Sequence, residues 1–181
     1  MSPAESGRDV PRQAGIARDD LQRLWAPWRS GYVVGGDPID GCPFCVLPAR
    51  GASRDRESLI LHRGKRVYVI FNAYPYNPGH LMVVPFAHVD DVGGLDDETN
   101  RELWTLTTRC VAVVRDRLSA EGVNVGMNLG AAAGAGIAAH VHQHVVPRWR
   151  GDTNFMSVVA STRVLPQALA STYDALADAF A

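Results

Sequence analysis

The stretch AHVHQHVVPRW, residues 139–149, sets His140, His142 and His144 at i, i+2 and i+4. A strand here predicts all three imidazoles on one face. Val141 and Val145 then point the other way, toward a core, with Gln143 as the one polar interruption of that inward face. The chain holds six histidines, and half of them fall within this short run. A solvent-facing strand tolerates histidine but gains nothing from three neighbouring groups that each titrate near pH ~6.5 and become like charges. A metal or a phosphate accounts for the pattern better.

Working outward, 181 residues suffice for one well-formed domain and are short for two. With 46% hydrophobic residues, 20% charged residues and a net charge of −1, the composition is that of an ordinary globular chain. It implies no general affinity for nucleic acid or membrane. The longest apolar stretches are broken well short of the roughly 20 residues a spanning helix needs, and the first twenty residues lack an apolar signal region. A cytoplasmic protein is expected. Three cysteines, two of them in Cys42-Pro43-Phe44-Cys45, suit a reducing compartment better than a disulfide framework.

Residues 1–22 are polar and without periodicity and read as a flexible arm, leaving 23–181 as a single domain with a C-terminal extension. Trp25 and Trp28 read as packing residues, against the domain or a second subunit. A Gly/Asp/Pro segment, the cysteine pair and another loop precede the first strand signal at Leu59-Ile60-Leu61. Val67 to Phe71 and His80 to Pro85 read as the next strands, separated by a proline-bearing turn. Asp96-Asp97-Glu98-Thr99 offers a cap and early acids for a helix whose apolar positions Leu103, Leu106, Val111, Val114 and Leu118 recur at helical spacing, ending near Gly122. Cys110 inside it reads as a small buried hydrophobe. Val123 to Asn128 is a fourth strand, Gly130 to Gly136 a small-residue turn, and the histidine run a fifth strand. A last helix, from about Pro166 to Phe180, carries Leu165, Leu169, Tyr173 and Leu176 on one side. Short connections predict an antiparallel sheet of about five strands with one main helix and a C-terminal helix, an α+β fold.

Cys42 and Cys45 can present two thiolates to one metal, and a tetrahedral zinc needs two further ligands. His88 and His140 are the candidates for long-range closure. A lone Cys-x-x-Cys is also compatible with redox chemistry. In the loop from Asn128 to Gly136, small residues let backbone N–H groups approach an anion closely. Facing a row of imidazoles, such a loop reads as a phosphate cradle, because neutral imidazole is a good nucleophile at neutral pH.

His140 to Val146 resembles the His-φ-His-φ-His-φ-φ motif of the histidine-triad (HIT) superfamily of nucleotide hydrolases and transferases, with Gln143 at one apolar position. The resemblance runs from about Leu24 to the C-terminus. Its segments VYVIFNAYPYNPGHLMVVP, NVGMNLG and HVVPRWRGDTNF look most like the branch with bacterial diadenosine tetraphosphate phosphorylases and adenylyltransferases.

The resemblance implies a nucleotidyltransferase in which His142 attacks the α-phosphorus and forms a covalent nucleotidyl-histidine. His144 would contact the phosphate and help the leaving group, and His140 would orient the site. Asn72 stands where many members bind the ribose with an Asp. Asn128 matches a phosphate-contacting Asn, and Gly134, Gly136 and Trp149 join the nucleotide-binding set. His140 and His88 match the histidine ligands of members with a Cys-x-x-Cys motif, implying a structural Zn2+ on Cys42, Cys45, His88 and His140. Many hydrolases of the superfamily carry Gly-Gln-Ser shortly before the first His, whereas here Ala135-Gly136-Ile137 stand. Inorganic phosphate as acceptor follows, with diadenosine tetraphosphate split into ATP and ADP. Hydrolysis of dinucleoside polyphosphates or adenosine phosphoramidates, and a nucleotide-binding regulatory module, are the alternatives. Homodimerisation is also implied.

Overall fold

The computed structural model describes residues 39–152 and 169–180. Five strands form one antiparallel sheet: β1 (Ile60–Arg63), β2 (Val67–Phe71), β3 (Leu81–Pro85), β4 (Gly122–Met127) and β5 (Gln143–Arg148). Their order across the sheet is β1-β2-β3-β5-β4, so the last strand inserts between β3 and β4. Every residue of β2 and β3 is buried, because both faces of the central sheet are covered. The α+β architecture expected from the pattern is the one observed.

One face carries Val67, Val69, Phe71, Leu81, Val83 and Val145 and packs under helices α2 (Asp97–Leu118) and α3 (Leu169–Ala177). Asp96 caps α2, its carboxylate accepting from Thr99 N–H at 2.7 Å, and Asp97 and Glu98 sit at the positive end of the helix dipole. Leu103, Leu106, Cys110 and Val114 form its buried stripe. Burial pushes the Cys110 thiol up to about 12, which keeps it neutral, as expected of a small core hydrophobe. The helix ends at Leu118 rather than near Gly122, since Ser119 adopts φ +51° and the following residues turn back into β4. The hydroxyl of Tyr173 on α3 donates to Ile60 O at 2.9 Å and ties that helix to β1. Residues 1–22, Trp25, Trp28, Leu165 and the expected first turn of the C-terminal helix lie outside the described residues.

Two local expectations need correction. The cysteine segment is a short helix, α1 (Pro43–Ala49), not a loop: Pro43 opens it at a position where a missing N–H costs nothing. The histidine strand begins only at Gln143, leaving His140 and His142 ahead of it. The β3–β5 ladder runs Leu81↔Val145, Met82↔His144, Val83↔Gln143 and then stops. Near its end Pro85 has no N–H to give, and Pro85 O is held by the His140 ring at 2.9 Å. Val141 N–H pairs instead with Val89 O at 2.7 Å. Val141 and Val145 are buried in the helix-covered core, as the alternation predicts.

Candidate active site and metal centre

The second face of the sheet carries Tyr68, Ile70, Met82 and Val84, and α1 covers part of it through Phe44. The Tyr68 hydroxyl donates to Phe44 O at 2.8 Å, fixing α1 on the sheet. This places Cys42 and Cys45 against His88 and His140. Cys42 Sγ lies 3.4 Å and Cys45 Sγ 3.6 Å from His140 Nδ1, Cys45 Sγ lies 3.3 Å from His88 Nδ1, and the two Nδ1 atoms are 3.2 Å apart. A tetrahedron with Zn–S of about 2.3 Å and Zn–N of about 2.0–2.1 Å has S···N edges of about 3.5 Å and an N···N edge of about 3.3 Å. The donor set fits that size on every one of these edges.

The proton positions agree. Pro85 O can only accept, so His140 carries its hydrogen on Nε2 and turns the Nδ1 lone pair toward the cluster, the usual support of a metal-bound histidine. Burial holds the His140 ring below its ordinary pKa, which favours the neutral ligand form. Burial, with Cys42 beside it, raises the Cys45 thiol in the metal-free chain; a bound cation reverses that balance and holds the thiolate.

His142 is 5% exposed and lines a cavity of about 850 Å³. Its Nδ1 lies 2.8 Å from His140 O, so Nδ1 is the donor and the lone pair sits on Nε2. Burial lowers the pKa of this imidazole, so it is neutral at pH 7. The Phe44 ring stands 4.8 Å from the His142 ring and 5.5 Å from the His140 ring, packed against both.

His144, on β5, packs edge to face against His142 with ring centroids 4.9 Å apart. Its protonation is set from behind by His80, a residue that sequence reasoning took only as the start of a strand. Tyr76 N–H donates to His80 Nδ1 at 3.0 Å, so His80 donates from Nε2 to His144 Nδ1 at 2.9 Å. His144 in its neutral form therefore carries hydrogen on Nε2 and is a donor. His80 is fully buried. The available signal was a histidine directly after Gly79, at the exit of the turn.

Asn72, Asn128, Gly134 and Gly136 line the same cavity as His142 and His144, as the sequence grouped them. Phe44, Leu47, Leu59, Ile70, Met82 and Ile137 make its other walls apolar. The cavity thus combines apolar walls with a few amide, imidazole and glycine positions, the make-up of a small-molecule site. Asn72 Oδ1 accepts from Tyr74 N–H at 2.9 Å, which fixes the amide at the cavity rim. Trp149 is a correction: its indole donates to Leu118 O at 3.2 Å and Ser119 O at 3.0 Å on the helix-covered side. It lines neither this cavity nor its neighbour and caps the end of α2 instead.

The model of the HIT domain family matches residues 53–151. This chain belongs to that family. An AP-4-A phosphorylase of Mycobacterium tuberculosis is 43% identical over 172 residues, covering 91% of this chain and 87% of that protein. A bis(5'-adenosyl)-triphosphatase of Dictyostelium discoideum is 31% identical over 97 residues, 54% of this chain and 64% of the other. Among solved structures, a zinc-bound histidine triad protein of Mycobacterium smegmatis superposes with a TM-score of 0.61 at 24% identity, covering 77% of this chain and 93% of its own. That likeness concerns the fold. The HIT domain here is an enzyme domain by family and relatives, and its four-residue cluster has the donors and spacing for a metal.

Proposed function

We propose that this HIT domain transfers a nucleotidyl group through a covalent intermediate on His142, and that its reaction is phosphorolysis of diadenosine tetraphosphate to ATP and ADP. The observation that carries the mechanism is the His142 ring, buried, neutral and locked by His140 O with its Nε2 lone pair available at the cavity. The similarity to an AP-4-A phosphorylase along 91% of the chain supports the substrate.

In the first step His142 Nε2 attacks the α-phosphorus, the bond to the bridging oxygen breaks, and its electron pair leaves with ATP. In the second, an oxygen of inorganic phosphate attacks the same phosphorus, the P–N bond breaks, its pair returns to Nε2 and ADP forms. His144 Nε2–H and the Asn128 amide serve as donors to phosphate oxygens, where developing charge is greatest. Asn72 serves the ribose hydroxyls, and the apolar walls take adenine. Gly136 and Ile137 leave room where hydrolases of the superfamily carry Gln and Ser, which favours phosphate over water as acceptor.

The metal is proposed to be Zn2+ on Cys42, Cys45, His88 and His140. With four protein ligands its contribution is structural, tying α1 to the segment before β5. A cytoplasmic homodimer completes the reading, with the open indole of Trp104 on α2 as support for a second copy. Among the described residues no helix is long and apolar enough to cross a membrane.

Product analysis with and without phosphate tests the reaction. ADP is expected in proportion to added phosphate, with AMP minor. AMP dominating at high phosphate makes the domain a hydrolase, a reading favoured by relatives such as the triphosphatase. No product at all makes it a binding module. The intermediate, trapped as adenylyl-protein, should map to His142 and vanish in His142→Ala, while AMP binding persists.

A further inference from the structure

Leu59, directly ahead of β1, has φ +59°, a left-handed backbone that a leucine rarely adopts, and it lines the cavity. The turn around it is tied down. Ser58 N–H donates to Arg54 O at 2.9 Å, Leu59 N–H to Arg56 O at 3.2 Å and Ile60 N–H to Asp55 O at 2.8 Å, while Leu59 O accepts from Phe71 N–H on β2 at 2.8 Å. Arg63 fixes the Asp55 carboxylate from Nε at 3.0 Å and Nη2 at 2.7 Å, and Nη2 also donates to Pro48 O on α1 at 2.9 Å. Backbone strain that its surroundings over-determine in this way is characteristic of ligand clamps.

The turn brings two polar residues to an otherwise apolar wall. Ser58 lines the cavity and is 2% exposed, and its Oγ is buried with no hydrogen-bond partner among the described residues. A buried hydroxyl left unpaired is costly, and the space beside this one is the cavity. Gln143 Oε1 is also buried and unpaired, but Gln143 does not line the cavity. Glu57 is the one carboxylate lining the cavity among the described residues. Arg54 places both of its bonds on Glu57 Oε2, at 2.9 and 2.6 Å, which leaves Oε1 without a protein partner among the described residues.

Strand register says how far this turn lies from the histidines. Ile60, Ile70, Met82 and His144 are paired in a row across β1, β2, β3 and β5. Three strand spacings therefore separate the start of β1 from His144, roughly 14 Å. Ile70 and Met82 form the apolar floor between. That span is comparable with the reach of a mononucleotide from its phosphorus to the far edge of its base.

We propose that the Glu57–Ser58 turn reads the edge of the bound base: Glu57 Oε1 accepts from an exocyclic amino group and the Ser58 hydroxyl donates to the ring nitrogen beside it. The inference rests on nucleotidyl transfer at His142, which puts the phosphate at the other end. A carboxylate accepts only, so it favours an amino group over a carbonyl at that position. An amino group next to a ring-nitrogen acceptor is the pattern of adenine, whereas hypoxanthine presents a carbonyl next to N1–H.

The test is equilibrium binding of AMP and its analogues to the metal-loaded protein. Ser58→Ala removes an unpaired buried hydroxyl, so the free protein should melt no lower than the unsubstituted one, while AMP affinity should fall about fivefold or more. 1-Deaza-AMP and 7-deaza-AMP locate the nitrogen: for the analogue that lacks the paired atom, Ser58→Ala should change affinity by less than about twofold. IMP should bind about tenfold more weakly than AMP, and Glu57→Gln, whose amide supplies a donor as well as an acceptor, should bring the two within about threefold. If Ser58→Ala lowers thermal stability and AMP affinity together, or costs AMP and both deaza analogues equally, Ser58 packs the turn and does not meet the base. An AMP preference over IMP that is missing, or that persists unchanged in Glu57→Gln, overturns the role of the carboxylate. If the unsubstituted protein binds AMP no better than ribose 5-phosphate, the nucleotide reading itself fails and the base reading falls with it.

Discussion

Gly79→Ala is a sharp test of how the fold holds its site. Gly79 has φ +76°, in the left-handed region, at the exit of the turn that delivers His80 to β3. An L side chain there costs about 1–2 kcal/mol in backbone strain. The added Cβ would also fall inside van der Waals contact of Leu118 Cδ1 and 3.3 Å from Pro147 Cγ, so the Leu118 side chain at the end of α2 must turn into a less favourable rotamer. Overpacking of this kind costs about 1–3 kcal/mol. The sum, roughly 2–5 kcal/mol, corresponds to a fall in Tm of about 4–20 °C for a chain of this size. Gly134→Ala is the control, because Gly134 also has positive φ, at +86°, but a Cβ there meets nothing within 4 Å. It should lose only the backbone part. Thermal unfolding of both variants reads the difference, and turnover of Gly79→Ala, assayed below its transition, should also fall as His80 shifts behind His144. If Gly79→Ala melts within a degree or so of Gly134→Ala, the close approach of Leu118 to this turn is wrong.

Three further outcomes are expected. Stripping the metal with a chelator, or substituting Cys45→Ser, should lower Tm and metal content together, because binding to a closed four-ligand site is linked to folding. X-ray absorption on protein purified without chelator should report one zinc per chain with about two sulfur ligands near 2.3 Å; protein free of zinc would remove this reading. Tyr68→Phe leaves Phe44 O buried without its donor and should cost about 1–3 kcal/mol, with a matching fall in urea midpoint; an unchanged midpoint would mean that α1 is held by other contacts. His80→Leu should reduce kcat far more than it alters AMP affinity, since it removes the donor that fixes the His144 tautomer. Equal effects on both would make His80 a packing residue.

Much of the molecule was legible because the relevant information is local. The β-branched run at Val67–Phe71, the Asp96 cap and the apolar spacing of α2 are decided by backbone preferences and side-chain period within a few residues. The inward Val141 and Val145, and the pairing of Cys42 with Cys45, belong to the same class. What tertiary structure decided is closure over distance. Cys42 meets His140 across 98 residues, and His80 meets His144 across 64, only because β5 inserts between β3 and β4. Alternation predicted one strand with three histidines on it. The chain instead gives Pro85 O to the His140 ring and begins pairing at Gln143, which splits the triad between the cluster with Cys42, Cys45 and His88 and the cavity. Trp149 went to the end of α2 for the same kind of reason, because two free carbonyls there could satisfy its indole N–H. Which face a strand buries is written in its period, but which partners its ends find depends on the order of the sheet, and no local pattern carries that order.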